Sequence, residues 1–169
     1  VKFYGGAVEI SEGKFIFENG LISGAGRSFT NGAGVFIGEN ASFTMNGGEI
    51  TGFKNGASTD GDETISGAGV FLKGTFVMNG GEISSNVSSY SGGGVYVGGG
   101  ASFTLNGGII KNNSSVNGGG VYVGTNATLT MTGGEISLNR VPSSTGSGGG
   151  ISANTGSTVI ISGGKINGN

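Results

Sequence analysis

The chain has 169 residues, a formal net charge of −2 and only 11% charged residues, so it offers no basic stripe for binding nucleic acid. It contains no cysteine, which excludes a disulfide-stapled fold, and no apolar run approaches the ~20 residues that a membrane-spanning helix needs. We therefore expect neither a nucleic-acid partner nor membrane insertion by this segment. The absence of cysteine also fits a bacterial exterior better than an animal extracellular domain.

Glycine-rich tetrapeptides divide the chain into six repeats. They read GGAV, GAGV, GAGV, GGGV, GGGV and GGGI. Successive starts lie 25 to 35 residues apart, and a period that tolerates insertions is typical of a solenoid whose loops vary while its strands keep their register. We predict a single repeat domain over residues 1–169, with coils of about 26 residues that start near residues 5, 32, 67, 92, 118 and 148.

Apolar and polar residues alternate within every repeat, and this is the period of a β-strand. In the clearest copy, Val95 and Val97 flank Tyr96. The pattern predicts five columns of inward residues, six rungs deep, in an all-β, single-stranded parallel β-helix. In chain order the predicted inward residues are Val8, Ile10, Phe15, Phe17, Ile22, Val35, Ile37, Phe43, Met45, Ile50, Val70, Leu72, Phe76, Met78, Ile83, Val95, Val97, Phe103, Leu105, Ile110, Val121, Val123, Leu129, Met131, Ile136, Ile151, Ala153, Val159, Ile161 and Ile166.

A glycine pair follows the second predicted strand in five repeats, at 47–48, 80–81, 107–108, 133–134 and 163–164. We expect tight corners there, where the chain needs positive φ or a close approach of neighbouring rungs. A phosphate-binding loop is the alternative, but no GxGxxG or GK[ST] pattern opens an amphipathic helix.

Asparagine recurs at two corner positions, where stacked copies favour hydrogen-bonded side-chain ladders over ligand binding. The members are Asn46, Asn79 and Asn106 before the glycine pairs, and Asn86, Asn113, Asn139 and Asn169 after the last inward isoleucine of their repeats.

Four consecutive repeats carry an aromatic residue at the centre of the first strand: Phe36, Phe71, Tyr96 and Tyr122. Because their neighbours point inward, the period predicts that these rings form a stacked and exposed strip. They are the candidate binding residues of the chain. Three interpretations are open: mutual stacking beneath a loop, lateral contact with another copy or another protein, and sugar binding.

Hydroxyl-bearing residues form a second outward pattern, on the second strand of several repeats. Full pairs are Ser42 with Thr44, Ser102 with Thr104 and Thr128 with Thr130, and partial copies are Thr75 with Val77 and Thr158 with Ile160. The expected grid of ~6.7 Å by ~4.8 Å resembles the flat TxT arrays of ice-binding β-solenoids. Threonine is also simply a good strand residue, so both interpretations are open.

Short motifs carry a family resemblance. GGAV stands at Gly5–Val8, and FxxN stands at Phe43–Asn46, Phe76–Asn79 and Phe103–Asn106. Repeated GGA(I/L/V) and FxxN tetrapeptides define the polymorphic outer-membrane protein family of autotransported bacterial adhesins, which the chain resembles over its whole length. Three repeats depart from FxxN, with Glu18, Thr132 and Ser162 in the place of asparagine. The resemblance implies a right-handed, pectin-lyase-like parallel β-helix displayed outside a bacterium.

Enzymes such as pectate lyases and polygalacturonases also use this fold, and acid–base work on a glycan needs carboxylates that converge on a groove. The chain has no histidine, and Glu49, Glu82 and Glu135 are spaced along the rod in a column that Ile109 interrupts and Lys165 ends. We therefore expect no catalytic residue and no cofactor.

One acidic cluster stands apart, in the TDGDET insertion of the second repeat, where Asp60, Asp62 and Glu63 lie close in sequence. Its spacing is far from that of an EF-hand loop. We interpret it as a solvated polar loop and expect no metal site; calcium ligation and catalysis are the alternatives.

Neither end of the sequence reads as a polar cap, because VKFY runs straight into the first repeat and INGN stops where another glycine start is due. We expect such edges to template a further strand, either in a longer solenoid or between copies stacked head to tail.

The expected function is a non-enzymatic, extracellular or cell-surface structural protein, adhesin-like and able to form a fibre. Its partners would be itself or a host or cell-surface protein or glycan. A glycan-binding module of a larger secreted protein and an ice binder are the alternatives.

Overall fold

The computed structural model describes residues 5–25, 28–29, 33–56 and 66–169, and every regular element in these ranges is a β-strand. The strands are β1 (Gly5–Phe17), β2 (Leu21–Ser23), β3 (Ser28–Phe29), β4 (Ala33–Met45), β5 (Glu49–Thr51), β6 (Lys54–Asn55), β7 (Val70–Leu72), β8 (Thr75–Met78), β9 (Glu82–Ser84), β10 (Val87–Ser88), β11 (Val95–Val97), β12 (Ser102–Leu105), β13 (Ile109–Lys111), β14 (Val121–Val123), β15 (Thr128–Met131), β16 (Glu135–Ser137), β17 (Ile151–Ala153), β18 (Thr158–Ile161) and β19 (Lys165–Asn167).

Parallel pairing between equivalent strands builds a right-handed β-helix, as predicted. The first and second strands of the rungs form one sheet in the order β17-β14-β11-β7-β4-β8-β12-β15-β18, with β1 on β4. They share a sheet because β1 and β4 run without a break through the corner that separates two strands in later rungs. The third strands stack as β19-β16-β13-β9-β5-β2, and β10-β6-β3 form a short third sheet.

The predicted inward columns form one continuous core. In the second to fifth rungs every predicted inward residue, from Val35 to Ile136, is 0% exposed. Phenylalanines stack through the middle of this core, with ring centroids 5.4 Å apart for Phe15 and Phe43 and 4.7 Å apart for Phe76 and Phe103. Burial of each such side chain stabilises the fold by roughly 1.5–3 kcal/mol as an upper bound.

The two end rungs differ from the prediction. Of the five predicted inward residues of the first rung, Ile10 alone is buried, and the partly buried ones are Val8, Phe15, Phe17 and Ile22. In the last rung Ala153 is exposed, and Ile161 and Ile166 are 53% and 43% exposed, so the prediction of burial is wrong for these three residues. The reason is that an end rung is covered by described residues on one side only.

The glycine pairs form the predicted corners, and each glycine of a pair is required for a different reason. A Cβ atom on Gly80 would lie 2.5 Å from the carbonyl oxygen of Asn46 in the preceding rung, whereas Gly81 has φ +84°. The other four pairs repeat this arrangement. The first glycine therefore permits the close approach of rungs, and the second permits the turn.

Both predicted asparagine ladders are present. In the buried ladder, Asn113 donates from Nδ2 to the carbonyl oxygen of Ile83 at 2.9 Å and to Oδ1 of Asn139 at 3.0 Å, while its own Oδ1 accepts from Asn86. Asn139 makes the same bond to Asn169 at 2.9 Å. In the second rung the ladder position holds the buried Phe53, whose backbone N–H donates to Oδ1 of Asn86.

The exposed ladder joins the corners that precede the glycine pairs. Asn79 donates from Nδ2 to Oδ1 of Asn46 at 2.8 Å, and Asn106 donates to Asn79 at 2.9 Å. Two of the residues that depart from asparagine continue the ladder, because Asn46 donates to Glu18 and Thr132 donates to Asn106. The third, Ser162, donates instead to the carbonyl oxygen of Met131 at 3.5 Å. Each ladder asparagine thus donates to the preceding rung and accepts from the following one, which holds the rungs at a fixed spacing at this corner.

Candidate binding surfaces

The predicted aromatic strip is stacked but not exposed, so the prediction of exposure is wrong. Phe36, Phe71 and Tyr96 are 6%, 3% and 5% exposed, and Tyr122 is partly buried. The rings stack along the rod, with centroids 4.9 Å apart for Phe71 and Tyr96 and 5.2 Å apart for Tyr96 and Tyr122. The outer face of the first strands is therefore a second, smaller apolar core with Ala33.

Glycine turns approach the base of this aromatic column closely. Gly92 turns with φ +65° directly over the first strand, where a Cβ atom would lie 2.8 Å from Cα of Tyr96. A Cβ atom on Gly67, in the preceding rung, would lie 2.8 Å from Cβ of Tyr96. The glycine turns of these two rungs thus lie close to the base of the Tyr96 side chain. The stacking and burial of the rings support the interpretation of mutual stacking.

The aromatic stack ends in a cleft. Ser152 pairs in register with Tyr122, so the last rung has a hydroxyl where the four rungs before it have a ring. The cleft that results has a volume of about 230 Å³ and is lined by Asn117, Tyr122, Ser147, Ser152, Ala153 and Asn154. Ser147 Oγ lies 3.2 Å from both Asn117 Oδ1 and Ser152 Oγ.

A second cleft of about 250 Å³ adjoins the first through Asn117, and its other lining residues are Ser89, Tyr90 and Val116. The Tyr90 side chain is 43% exposed, and its backbone is fixed because its carbonyl oxygen accepts from the N–H groups of Val116 and Asn117 at 3.1 and 3.2 Å. Neither Tyr90 nor Asn117 was predicted from the sequence to line a site. An aromatic residue within the serine-rich segment SSYSG was the available signal.

The hydroxyl columns lie in register on the second strands. Ser102 pairs with Thr75 on one side and Thr128 on the other, and these outward side chains are exposed or partly exposed. Val77 interrupts the neighbouring column of Thr44, Thr104 and Thr130, and Ile160 ends it with 49% of its surface exposed. Ice binding by this face stays a prediction.

The acidic residues do not converge in the described part of the chain. Glu82 pairs in register with Glu49 and with Ile109, and Lys165 pairs with Glu135, as the sequence indicates. Within residues 5–25, 28–29, 33–56 and 66–169, no group of three acidic residues can hold a metal ion. The TDGDET segment with Asp60, Asp62 and Glu63 lies outside the described residues.

The column of glutamates has a basic partner, Lys111, that was not predicted from the sequence. Lys111 Nζ lies 2.9 Å from Glu82 Oε2, reaching across from the neighbouring column of the same sheet. The hydrogen bond and the charge of Glu82 raise the pKa of Lys111 above its usual 10.5. The charges of Glu49 and Glu135 also raise this pKa. Lys111 therefore reduces the electrostatic repulsion within the row of carboxylates.

No helix in the described ranges is long and apolar enough to cross a membrane. Comparison with models of protein families, with curated proteins and with solved structures gave no significant match.

Proposed function

We propose that the chain is a non-enzymatic structural β-solenoid of a bacterial exterior, an adhesin-like rod that can also stack end to end between copies. The supporting observation is that the corner asparagine side chains hydrogen-bond to one another along the rod. In both ladders the amide groups bond to the equivalent residue of a neighbouring rung, as Asn113 does to Asn139 in the next rung and Asn79 to Asn46 in the preceding one. Side chains engaged in this way extend a rod and do not converge on a substrate. The lack of histidine is consistent with the same role.

The surfaces of the two end rungs support end-on stacking. Exposed Ile161 and Ile166 lie on the last rung, and partly buried Phe17 and Ile22 lie at the equivalent positions of the first rung. Continued register would bring Ile161 against Phe17 and Ile166 against Ile22, as each column does inside the rod. Covering these apolar side chains favours association, and the strand edges gain hydrogen-bonding partners.

Charge also favours the junction, whereas the buried ladder does not continue across it. The first rung carries Glu9, Glu12 and Glu18 against Lys14 and Arg27, and the last rung carries Lys165 as its one charged side chain. The ladder position of the first rung holds Ala25, which has no amide to accept from Asn169. We therefore expect a junction weaker than an interior step, and stacking that depends on concentration.

Sedimentation velocity over a dilution series, with electron microscopy of the concentrated protein, tests end-on stacking. We expect rods that lengthen with concentration, and we expect the double variant Ile161→Lys/Ile166→Lys to stay monomeric because a lysine buried at the junction has no partner.

The matched control is Thr158→Lys/Asn167→Lys, on the same two strands but in outward columns that already hold Lys14 and Lys111. It should stack like the unmodified chain. A chain that stays monomeric at every concentration contradicts stacking, and turnover of a polysaccharide contradicts the non-enzymatic role.

A further inference from the structure

We propose that the two adjoining clefts at the end of the aromatic stack bind a short neutral oligosaccharide. The inference deepens the adhesin-like role by naming a ligand class, and it does not depend on end-on stacking. It starts from one irregularity in an otherwise repeated surface: the ring column Phe36, Phe71, Tyr96, Tyr122 is followed by Ser152. One side of the Tyr122 ring packs on Tyr96 with an interplanar angle of 9°, and the other side faces the position of Ser152, where the cleft opens.

Tyr90 supplies a second ring on the same groove. It lies two rungs before Tyr122, and Asn117 forms a wall of both clefts. The backbone bonds from Val116 and Asn117 to the Tyr90 carbonyl hold the loop in place, so the exposed ring belongs to a preformed surface. A groove with an aromatic ring in each half and an amide between them suits a ligand longer than one sugar.

The chemistry of the lining indicates the ligand class. A pyranose ring has an apolar C–H face that packs on tyrosine and a rim of hydroxyl groups that exchange hydrogen bonds with amides and hydroxyls. Asn117, Asn154, Ser89, Ser147 and Ser152 provide such groups. Among the described residues, none that lines either cleft is charged, so a sulfated, phosphorylated or uronic-acid glycan would find no counter-charge from them.

The sharpest variant fills the cleft with the residue type that the repeat itself uses. Ser152→Tyr adds a fifth ring to the stack, so it should block the first cleft while the fold stays at least as stable. Tyr90→Ala removes the exposed ring of the second cleft without touching the core. Ser102→Tyr is the matched control, because it places the same new ring on an outward, partly exposed position of another face.

The test is a glycan array of neutral and acidic oligosaccharides, followed by calorimetry with the neutral probes cellohexaose and maltohexaose at a protein concentration where the chain is monomeric. We expect retention of neutral glycans, a loss of affinity of about 10-fold or more in Ser152→Tyr and in Tyr90→Ala, and unchanged affinity in Ser102→Tyr. The proposal is overturned if the unmodified chain retains no neutral glycan, retains only acidic ones, or binds equally well after Ser152→Tyr. Stacking, measured separately at high concentration, can succeed or fail without affecting this result.

Discussion

The side-chain amide of Asn113 donates a hydrogen bond to Oδ1 of Asn139 at 3.0 Å, and both side chains are buried, at 0% and 1% exposure. The same Nδ2 atom of Asn113 also donates to the carbonyl oxygen of Ile83 in the preceding rung. One side chain thus ties three rungs together inside the rod. A buried group of this kind stabilises the fold modestly when it is satisfied and destabilises it strongly when it is not.

Asn113→Asp should therefore be severely destabilising. The substitution keeps the shape but replaces two N–H donors with an oxygen that faces the oxygens of Ile83 and Asn139, and it buries a charge. At ~1–3 kcal/mol for each unsatisfied buried group, we expect a loss of about 3 kcal/mol or more in the free energy of unfolding. Urea denaturation followed by circular dichroism measures this loss.

The control for this prediction is Asn106→Asp. Asn106 makes the equivalent rung-to-rung bond to Asn79 at 2.9 Å, but in the exposed ladder, where water can solvate the new carboxylate. We expect a loss below about 1 kcal/mol there. Equal losses in the two variants would show that burial of the inner ladder is not what makes it stabilising.

Lys111 and Glu82 give the rod a pH dependence at the alkaline end. Because the pKa of Lys111 is raised above 10.5 in the folded state, its ion pair stabilises the fold below pH 10.5 and this contribution is lost as the pH rises through the folded-state pKa. In Glu82→Gln the lysine should titrate at a lower pH than in the unmodified chain. Nuclear magnetic resonance of the Lys111 side chain measures both midpoints, with Glu12→Gln, a distant exposed site, as the control. An unshifted midpoint in Glu82→Gln would contradict the pairing.

Period-2 alternation predicted the inward columns because a strand has only two faces, and the stacking of six similar repeats removed the ambiguity of register. The same logic predicted the corners and both ladders. It failed where the outer surface is covered by the chain itself. Tyr96 points outward, as its sequence position requires, but it is only 5% exposed and Gly67 of the preceding rung lies close to its Cβ atom. Alternation carries no information about what crosses the outer face.

The clefts were not predicted for a related reason. They arise from a departure from the repeat, Ser152 in a column of rings, and from the Tyr90 loop, whose position depends on hydrogen bonds to Val116 and Asn117 in the next rung. A pattern shared by all repeats carries no information about a residue that departs from it. Phe53 is similar, because it occupies the ladder position of the second rung and fills with a ring the space that asparagine fills elsewhere.

Gly80→Ala tests how closely the rungs approach. The added Cβ atom would lie 2.5 Å from the Asn46 carbonyl oxygen, so the rungs must separate at this corner and the exposed ladder above it must stretch. We expect a loss of about 1–3 kcal/mol, the usual cost of overpacking. Gly99→Ala is the control, because its new atom would meet only the Thr125 carbonyl oxygen, at 3.3 Å, on an exposed turn. The prediction fails if thermal denaturation finds the two variants equally stable.

Leu138 lies at a corner where, in contrast to Gly80, a substitution should stabilise the rod. It is 57% exposed and has φ +55°, a left-handed conformation that costs an ordinary side chain roughly 1–2 kcal/mol. The equivalent corner positions hold Gly52, Ser85, Asn112 and Gly168, all with positive φ. Leu138 is therefore the bulkiest side chain at a corner where the repeat otherwise uses small or polar residues.

Leu138→Asn should raise the free energy of unfolding, because asparagine tolerates the left-handed region and Asn112 already adopts it one rung earlier. Leu138→Ala also removes the exposed apolar side chain, but alanine lacks the short polar group with which asparagine hydrogen-bonds locally in the left-handed conformation, so the difference between the two variants isolates the backbone effect. We expect Leu138→Asn to be more stable than Leu138→Ala by about 0.5–1 kcal/mol in urea denaturation, since left-handed strain is relieved only in the former. If alanine proves as stable as asparagine, the positive φ at this corner is not a source of strain, and the preference for small residues there has a different cause.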